Sequence, residues 1–523
     1  MPKTEPVFHC TKFHSPSISV CDNKRTALGG VILVGLISLF GASNAVASPV
    51  DETETWFLIS FDGQPVGYEH VKTRADDAQS LLACYRKTEL YLNRMGQNLT
   101  LRASLWTTQT KDGQLRTFNL QRIDGAGSRI ERSGTFVPAK AAFEISERVA
   151  GTRRNFSVSV PQATRSPILT VWLPQQSATW NQRLIVPVFF PETAGVATVS
   201  SERKTDGQIR VNGKSLRTRR IQFYPDADST KSTLLYTDDQ LSVLRQEKMF
   251  LSRMLSMEQT SAEVALTAST TKSLDLDAQT TIPIDRLLSG NKDQTTRVLE
   301  LRVTNGFLPA IPDATFQAVQ PIDASAVRIT LLPSNSPSPP SDLPSAVAHR
   351  NVPQDHPALA SSRWMPVSNP GLRSMALLSA GSETAPMAIC KRLEAAVHVK
   401  MRRSVFSTVM LPADEIARTM KGDCTEHAIL LATLIRTKGI PARMATGIVH
   451  TNQQYGFVGH AWVEALIEGQ WIPFDSSVAH EGSGVTYIKL QDSNLPDTLT
   501  SGVSLFLPVL ELAGRAAVKV ISD

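Results

Sequence analysis

Residues whose types and spacing suit chemistry concentrate between Lys421 and Ser477. The stretch Gly422-Asp423-Cys424-Thr425-Glu426-His427 leads into an apolar run (Ala428 to Leu431, then Leu434 and Ile435) that stops at Lys438-Gly439, with Pro441 beyond. These start and stop signals predict a helix. Asp423 is suited to be its N-cap, and Glu426, three residues on, completes a capping box. Cys424 is then the first helical residue. Its sulfur lies where unpaired backbone N–H groups and the positive end of the helix dipole favour a thiolate. A lone cysteine is ordinarily a small buried hydrophobe, so its context decides.

That context is a run of strands. Ala442–Thr451 reads as a strand, followed by a loop at Tyr455-Gly456, a strand His460–Ile467, a turn at Glu468-Gly469 and a strand Gln470–Asp475. A two-residue turn at Glu468-Gly469 sets Ile467 opposite Gln470 and Trp462 opposite Asp475. His460, two residues from Trp462, then shares a face with Asp475 as a diagonal cross-strand neighbour within side-chain reach. A slip of one residue would send the two to opposite faces. Cys424, His460 and Asp475 thus supply a nucleophile, a general base and a carboxylate that orients the base. Each role needs its residue type: an ionised thiol is strongly nucleophilic, imidazole titrates near neutrality, and a buried carboxylate stabilises the imidazolium.

Four linked segments carry a resemblance: Gly422-Asp423-Cys424-Thr425-Glu426-His427-Ala428, Arg436-Thr437-Lys438-Gly439-Ile440-Pro441-Ala442-Arg443, Gly459-His460-Ala461-Trp462-Val463-Glu464 and Trp471-Ile472-Pro473-Phe474-Asp475. Together they resemble the Cys, His and Asp motifs of the transglutaminase-like superfamily of papain-type cysteine enzymes, in that family's chain order. The resemblance spans about Ala385 to Val485. It implies an α+β fold with the cysteine on a central helix and the histidine and aspartate on adjacent strands. It does not imply the calcium dependence of the multi-domain tissue transglutaminases, whose architecture is not matched here.

Other candidates read as structural. His427, one turn from Cys424, is a rival base or metal ligand on spacing alone, but His460 has the carboxylate partner, so His427 is expected to be a satisfied helix residue. His398, His450 and His480 stand alone and are expected in loops or at the surface. Trp462 and Trp471 suit the core, with one as a wall of the site. Arg436 and Arg443 suit either a substrate carboxylate or the solvated ends of helix and strand. Gly207 to Gly213-Lys214-Ser215 mimics a phosphate loop but has five residues between its glycines where four are needed, and Gly125 with Gly127 lacks a third glycine. No nucleotide site, cofactor or metal is expected. Asn98-Leu99-Thr100 and Asn155-Phe156-Ser157 match glycosylation sequons by pattern.

Elements that must carry this constellation fall into two units. From Thr55 to about Leu301, short β-branched and aromatic runs (Trp56–Ser60, Val66–Lys72, Leu99–Thr108, Gln114–Gln121, Asn155–Val160, Leu184–Phe190) alternate with turn dipeptides at Asp62-Gly63, Asp112-Gly113, Asp124-Gly125, Asp206-Gly207 and Asn212-Gly213. These patterns predict antiparallel hairpins, with a helical excursion near Asp238–Met257. Ten of the thirteen residues from Pro333 to Ser345 are Pro or Ser, a composition that cannot bury a core. Helical signal resumes near Ala385–Val399. The expected organisation is a β-rich domain at 50–331, a linker at 332–370 and a transglutaminase-like domain at 371–523.

Residues 1–47 read as a signal peptide: Lys24-Arg25, an apolar run Ala27–Phe40, then Ala45-Val46-Ala47 before the cut. The run is shorter than a bilayer span requires, and no later segment is long and apolar enough, so export without a stable membrane span is expected. Cys10 and Cys21 would leave with the signal, stranding Cys84, Cys390 and Cys424. This odd count flags either an intermolecular bridge or a reactive free thiol; Cys84 could also pair with Cys390, although burial is the default for a lone cysteine. The 54 Lys+Arg against 48 Asp+Glu in 523 residues leave +6 without long like-charge runs, which does not suggest nucleic acid.

The functional expectation is an exported cysteine-dependent enzyme acting on amide bonds of a peptide or protein through a Cys424 thioester, ending in hydrolysis or acyl transfer to an amine. Two rivals stand against it. In a binding scaffold the β-rich domain would hold a protein or apolar ligand, but such a scaffold needs none of Cys424, His460 and Asp475. A cell-wall amidase of the other papain-like lineage would have a second histidine where Asp475 stands.

Overall fold

The computed structural model describes residues 52–333 and 355–523, less the internal stretches 77–79, 95–96, 124–128, 150, 178–182, 226–231, 251–252, 270–272, 289–295, 404–409, 452–454, 479–484, 498 and 500–501. The expected signal segment, most of the Pro/Ser linker, Asp124-Gly125 and His480 lie outside the described residues.

The N-terminal part is one large antiparallel sheet. Eight strands follow one another as a meander: β1 (Glu52–Phe61), β2 (Gln64–Asp76), β3 (Leu81–Arg94), β4 (Gln97–Thr110), β5 (Leu115–Ile123), β6 (Arg129–Val137), β7 (Ala142–Val149) and β8 (Thr152–Ser159). Six more form a second meander: β9 (Leu184–Phe190), β10 (Gly195–Val211), β11 (Lys214–Pro225), β12 (Thr233–Thr237), β13 (Val243–Phe250) and β14 (Arg253–Thr260). Pairing of β1 with β14 joins the two, so the order runs from β8 down to β1 and then from β14 down to β9. The tight turns follow their residues: Asp62-Gly63 and Asn212-Gly213 take the positive φ angles that close the β1–β2 and β10–β11 hairpins.

The sheet curls. Thr164–Ser166 bonds on one side to the start of β5 (Leu115 N to Thr164 O, 3.2 Å; Ser166 N to Gly113 O, 2.8 Å). On the other side it bonds to β9 (Arg165 N to Pro187 O, 2.8 Å; Phe189 N to Arg165 O, 3.1 Å), drawing that edge back toward the β4–β5 turn. Helix α1 (Leu169–Ser177) follows and fills the inner side, where Trp172 and Leu173 meet Phe57, Leu101, Val199, Phe223 and Met257. Gly113 at φ +90 lies so close beneath Trp172 that a Cβ there would stand 2.4 Å from the indole. Two buried arginines fasten the turn after β9 from across the curl: Arg86 pairs with Glu192 at 3.0 Å, and Arg132 donates to the Pro191 carbonyl.

Two local readings are corrected. Asp238–Met257 is not helical but contains all of β13 and the first five residues of β14, with the alternate burial of a strand along Val243–Phe250. Its Leu, Arg, Glu, Lys and Met favour helix intrinsically, yet cross-strand pairing outweighs propensities of a few tenths of a kcal/mol per residue. Asp206-Gly207 is not a turn. It lies inside β10 at a bulge, where the register with β11 shifts between Lys204 and Gly207.

The C-terminal region is α+β. Its central helix, Cys424–Thr437, is buried from Thr425 to Arg436, as its all-round apolar sequence requires. Around it pack the helices Pro370–Ala380, Pro386–Lys400 and Ala413–Thr419 and one face of a sheet. In that sheet the strand Gly456–Ile467 lies between Ala442–Thr451 on one edge and, on the other, Ile282–Pro283 at its start and Gln470–Phe474 at its end. A four-stranded sheet pairs Arg297–Val303 with both Ala326–Leu331 and the final strand Ala516–Ser522. Residues 282–331 therefore share a core with the C-terminal region (Ile282, Leu299 and Ile329 with Ile448, Phe457 and Ile488), although the sequence groups them with the β-rich half. Trp364 and Met365, within the expected linker, are likewise core residues. Among the described residues no helix is long and apolar enough to cross a membrane.

Candidate active site

Cys424 opens the central helix as the sequence predicts. Asp423 caps it in extended conformation, its Oδ1 accepting from Thr425 N at 2.8 Å, while Glu426 Oε2 accepts from Asp423 N at 3.0 Å. Burial, reinforced by Asp423, raises the Glu426 carboxyl well above its ordinary value, and its Oε2 is engaged in the capping box. Cys84 and Cys390 are both buried and both free, so the alternative of a bridge between them is set aside. Cys424 is partly exposed.

The hairpin that carries the other two residues has the predicted register. Glu468 and Gly469 adopt positive φ, Ile467 faces Gln470, and the ladder continues to Val463 opposite Phe474. His460 and Asp475 consequently meet on one face, with His460 Nε2 2.6 Å from Asp475 Oδ2. Cys424, at the start of the central helix, is the next group that favours charge on this ring. Burial opposes charge on this imidazole, but the attraction of Asp475 and then of Cys424 holds the imidazolium up to about 10. Burial also opposes the Asp475 carboxylate, yet His460 and Ser477 bring it down to about 2. Four donors converge on it: His460, Tyr487 Oη (2.8 Å), Ser477 N (2.9 Å) and Ser477 Oγ (2.6 Å). Burial and the neighbouring Asp475 keep the Tyr487 phenol protonated, its pKa well above the usual value. The imidazole is walled by Trp462, near-parallel at 6.4 Å, and by the edge of Tyr487 at 5.8 Å.

The remaining sequence candidates take other roles. His427 points its Nδ1 at Ser476 Oγ (3.3 Å), and burial lowers its pKa, favouring a neutral structural ring. His398 is a helix residue whose Nδ1 lies 3.0 Å from the Ser476 carbonyl, not a surface or loop residue. His450 lies edge-on to Phe457 within the strand. Arg436 is buried, where its guanidinium donates to the carbonyls of Ala442, Ala360 and Asn494 at 2.8, 2.7 and 3.1 Å, fastening the helix end. Arg443 pairs with Glu464 and Asp492 and covers Trp471, 3.9 Å from the ring centroid. Sequence reasoning missed Tyr487 and Glu394. Glu394 Oε1 accepts from Asp475 N at 2.6 Å. Neither lies within the motifs, and nothing in their local sequence marks them.

Residues 376–476 match the model of the transglutaminase-like superfamily and form a domain of that type. Among solved structures the chain is similar to a candidate cysteine protease from Cytophaga hutchinsonii (16% identity over 43% of this chain and 81% of that one, TM-score 0.26). It is similar also to a β-barrel-like protein of domain of unknown function DUF1849 from Brucella abortus (7%, 40% and 96%, TM-score 0.32). A third is a candidate protease from Parabacteroides distasonis (11%, 71% and 69%, TM-score 0.20). No curated protein matches the chain.

Proposed function

We propose that this chain is an exported cysteine-dependent enzyme that cleaves or transfers amide-linked acyl groups of peptides or proteins, with Cys424 as nucleophile, His460 as acid and base, and Asp475 as the group that orients His460. The observation that carries it is the 2.6 Å contact of His460 with Asp475, beside a helix-start Cys424 that helps to keep this imidazole charged. The Cys424 sulfur attacks the substrate carbonyl and forms a C–S bond. His460 delivers its proton to the departing nitrogen as the C–N bond breaks, leaving a thioester. Water or an amine then attacks, His460 takes its proton, and the C–S bond breaks to restore the thiolate–imidazolium pair. Export is supported by the basic, apolar and small-residue segments of residues 24–47.

The test incubates the full chain with glutamine-containing peptides and a labelled primary amine, following ammonia, cleavage and amine incorporation together. Turnover that vanishes in Cys424→Ala is expected. Turnover surviving in that variant refutes the mechanism, and no turnover in the wild type with any peptide favours a binding role.

A further inference from the structure

We propose that Glu394 is a positioning residue for this site: it holds the backbone at Asp475 and thereby fixes the carboxylate that orients His460. This rests on the reading of Cys424 and His460 given above. The ladder between the two strands ends at Val463 opposite Phe474, so the next N–H, that of Asp475, passes beyond the sheet's own acceptors. A buried N–H requires a partner, and Glu394 Oε1 supplies one at 2.6 Å. The carboxylate of Asp475 is fully engaged by His460, Tyr487 and Ser477, so its aim depends on where the main chain is held.

Glu394 is well placed to hold it. Its helix, Pro386–Lys400, buries Ile389, Cys390, Leu393 and Val397 in the same core as the Cys424 helix. One side chain therefore ties the element that packs against the nucleophile's helix to the strand end that carries the orienting carboxylate. The titratable groups facing Glu394 are Cys390, Lys391 and His398 on its own helix and Asp475 and Tyr487 from the sheet. From the Cys424 helix, His427 reaches the same turn at Ser476. Burial raises the Glu394 carboxyl and Asp475 adds to the rise, partly offset by the Asp475 N–H, giving about 7. Around neutrality Glu394 thus passes from a neutral acceptor to a second negative charge beside the dyad, which favours the imidazolium.

The test measures alkylation of Cys424 by iodoacetamide in the full chain, by mass spectrometry of the Cys424 peptide, from about pH 5 to 9. Glu394→Ala is expected to slow labelling about tenfold, the scale of one lost supporting hydrogen bond to a charged group. Glu394→Gln, whose amide oxygen can accept the same N–H, should recover most of that rate while losing the inflection near neutral pH. Wild-type rate and inflection in both variants overturn the assignment, as does Glu394→Gln labelling no faster than Glu394→Ala. If Glu394→Ala does not fold, Glu394→Gln decides alone, and an inflection that it retains overturns the proposal. His460→Ala separates the two levels. Unchanged labelling there overturns the underlying reading of the site, whereas slow labelling there with wild-type behaviour in both Glu394 variants overturns only the role of Glu394.

Discussion

Removing the Asp475 charge should change the protonation state of His460 at neutral pH. In the intact protein the ring stays charged up to about 10, against 6.5 for an ordinary histidine, despite a burial that works the other way. That interval corresponds to on the order of 5 kcal/mol of preference for the imidazolium. Asp475 is the largest favourable contributor and Cys424 the next. In Asp475→Asn the shape of the side chain is kept but its charge is lost. Burial then works against the attraction of Cys424 alone, and the titration of the ring should move well down from about 10. Cys424→Ala should lower the titration point too, but by less. The sign for stability follows: a histidine raised on folding contributes fully below 6.5, and that contribution drains away as pH rises through about 10. The assay is long-range 1H–15N correlation of protein labelled at its histidine rings, titrated from about pH 5 to 10. His460 titrating near 6.5 in the wild type, or titrating alike in wild type and Asp475→Asn, would refute the reasoning.

Two further substitutions probe the frame around the site. Gly447 is the cross-strand partner of His460, and a Cβ there would sit 2.0 Å from Ile488 O and 3.0 Å from Lys489 Cα. Gly447→Ala should cost about 3 kcal/mol or more in urea unfolding because backbone cannot yield as a side chain can. Gly439→Ala, at φ +76 with nothing within 4 Å, should cost only about 1 kcal/mol of backbone strain; equal losses would contradict the clash. Glu147, 2% exposed, gathers Arg132 and Arg154 of the large sheet and Arg363 of the C-terminal region (Nε 2.7 Å, Nε 2.5 Å and Nη1 3.1 Å). Glu147→Gln leaves Arg132 buried without its counter-charge and should cost about 3–5 kcal/mol. Although burial raises the Glu147 carboxyl, Arg132 and Arg154 hold it below its usual 4.5. The difference between wild type and Glu147→Gln should therefore be present at neutral pH and shrink as the solution is acidified below about 4.5; a pH-independent difference would show that charge is not the cause.

What was legible in the sequence was local. The capping box at Asp423 and Glu426 fixes where the Cys424 helix begins. A two-residue turn fixes register, and a strand's two-residue period then decides which side chains share a face, so the meeting of His460 with Asp475, fifteen positions apart, follows from the sequence between them. The hairpins at Asp62-Gly63 and Asn212-Gly213 were readable for the same reason. Where the deciding partner lies far along the chain, no such rule exists. Arg297–Val303 alternates as any strand does, and nothing in it says that its neighbour is Ala516–Ser522, more than two hundred residues further along the chain. Val243–Phe250 carries helix-favouring residues because its conformation is set by β12 and β14 on either side. Glu394 shows the consequence for function. A residue that supports a site through the fold need not share the spacing of the residues that perform the chemistry. Its identity becomes apparent only when the end of the Gln470–Phe474 strand is followed to the acceptor that its next N–H requires.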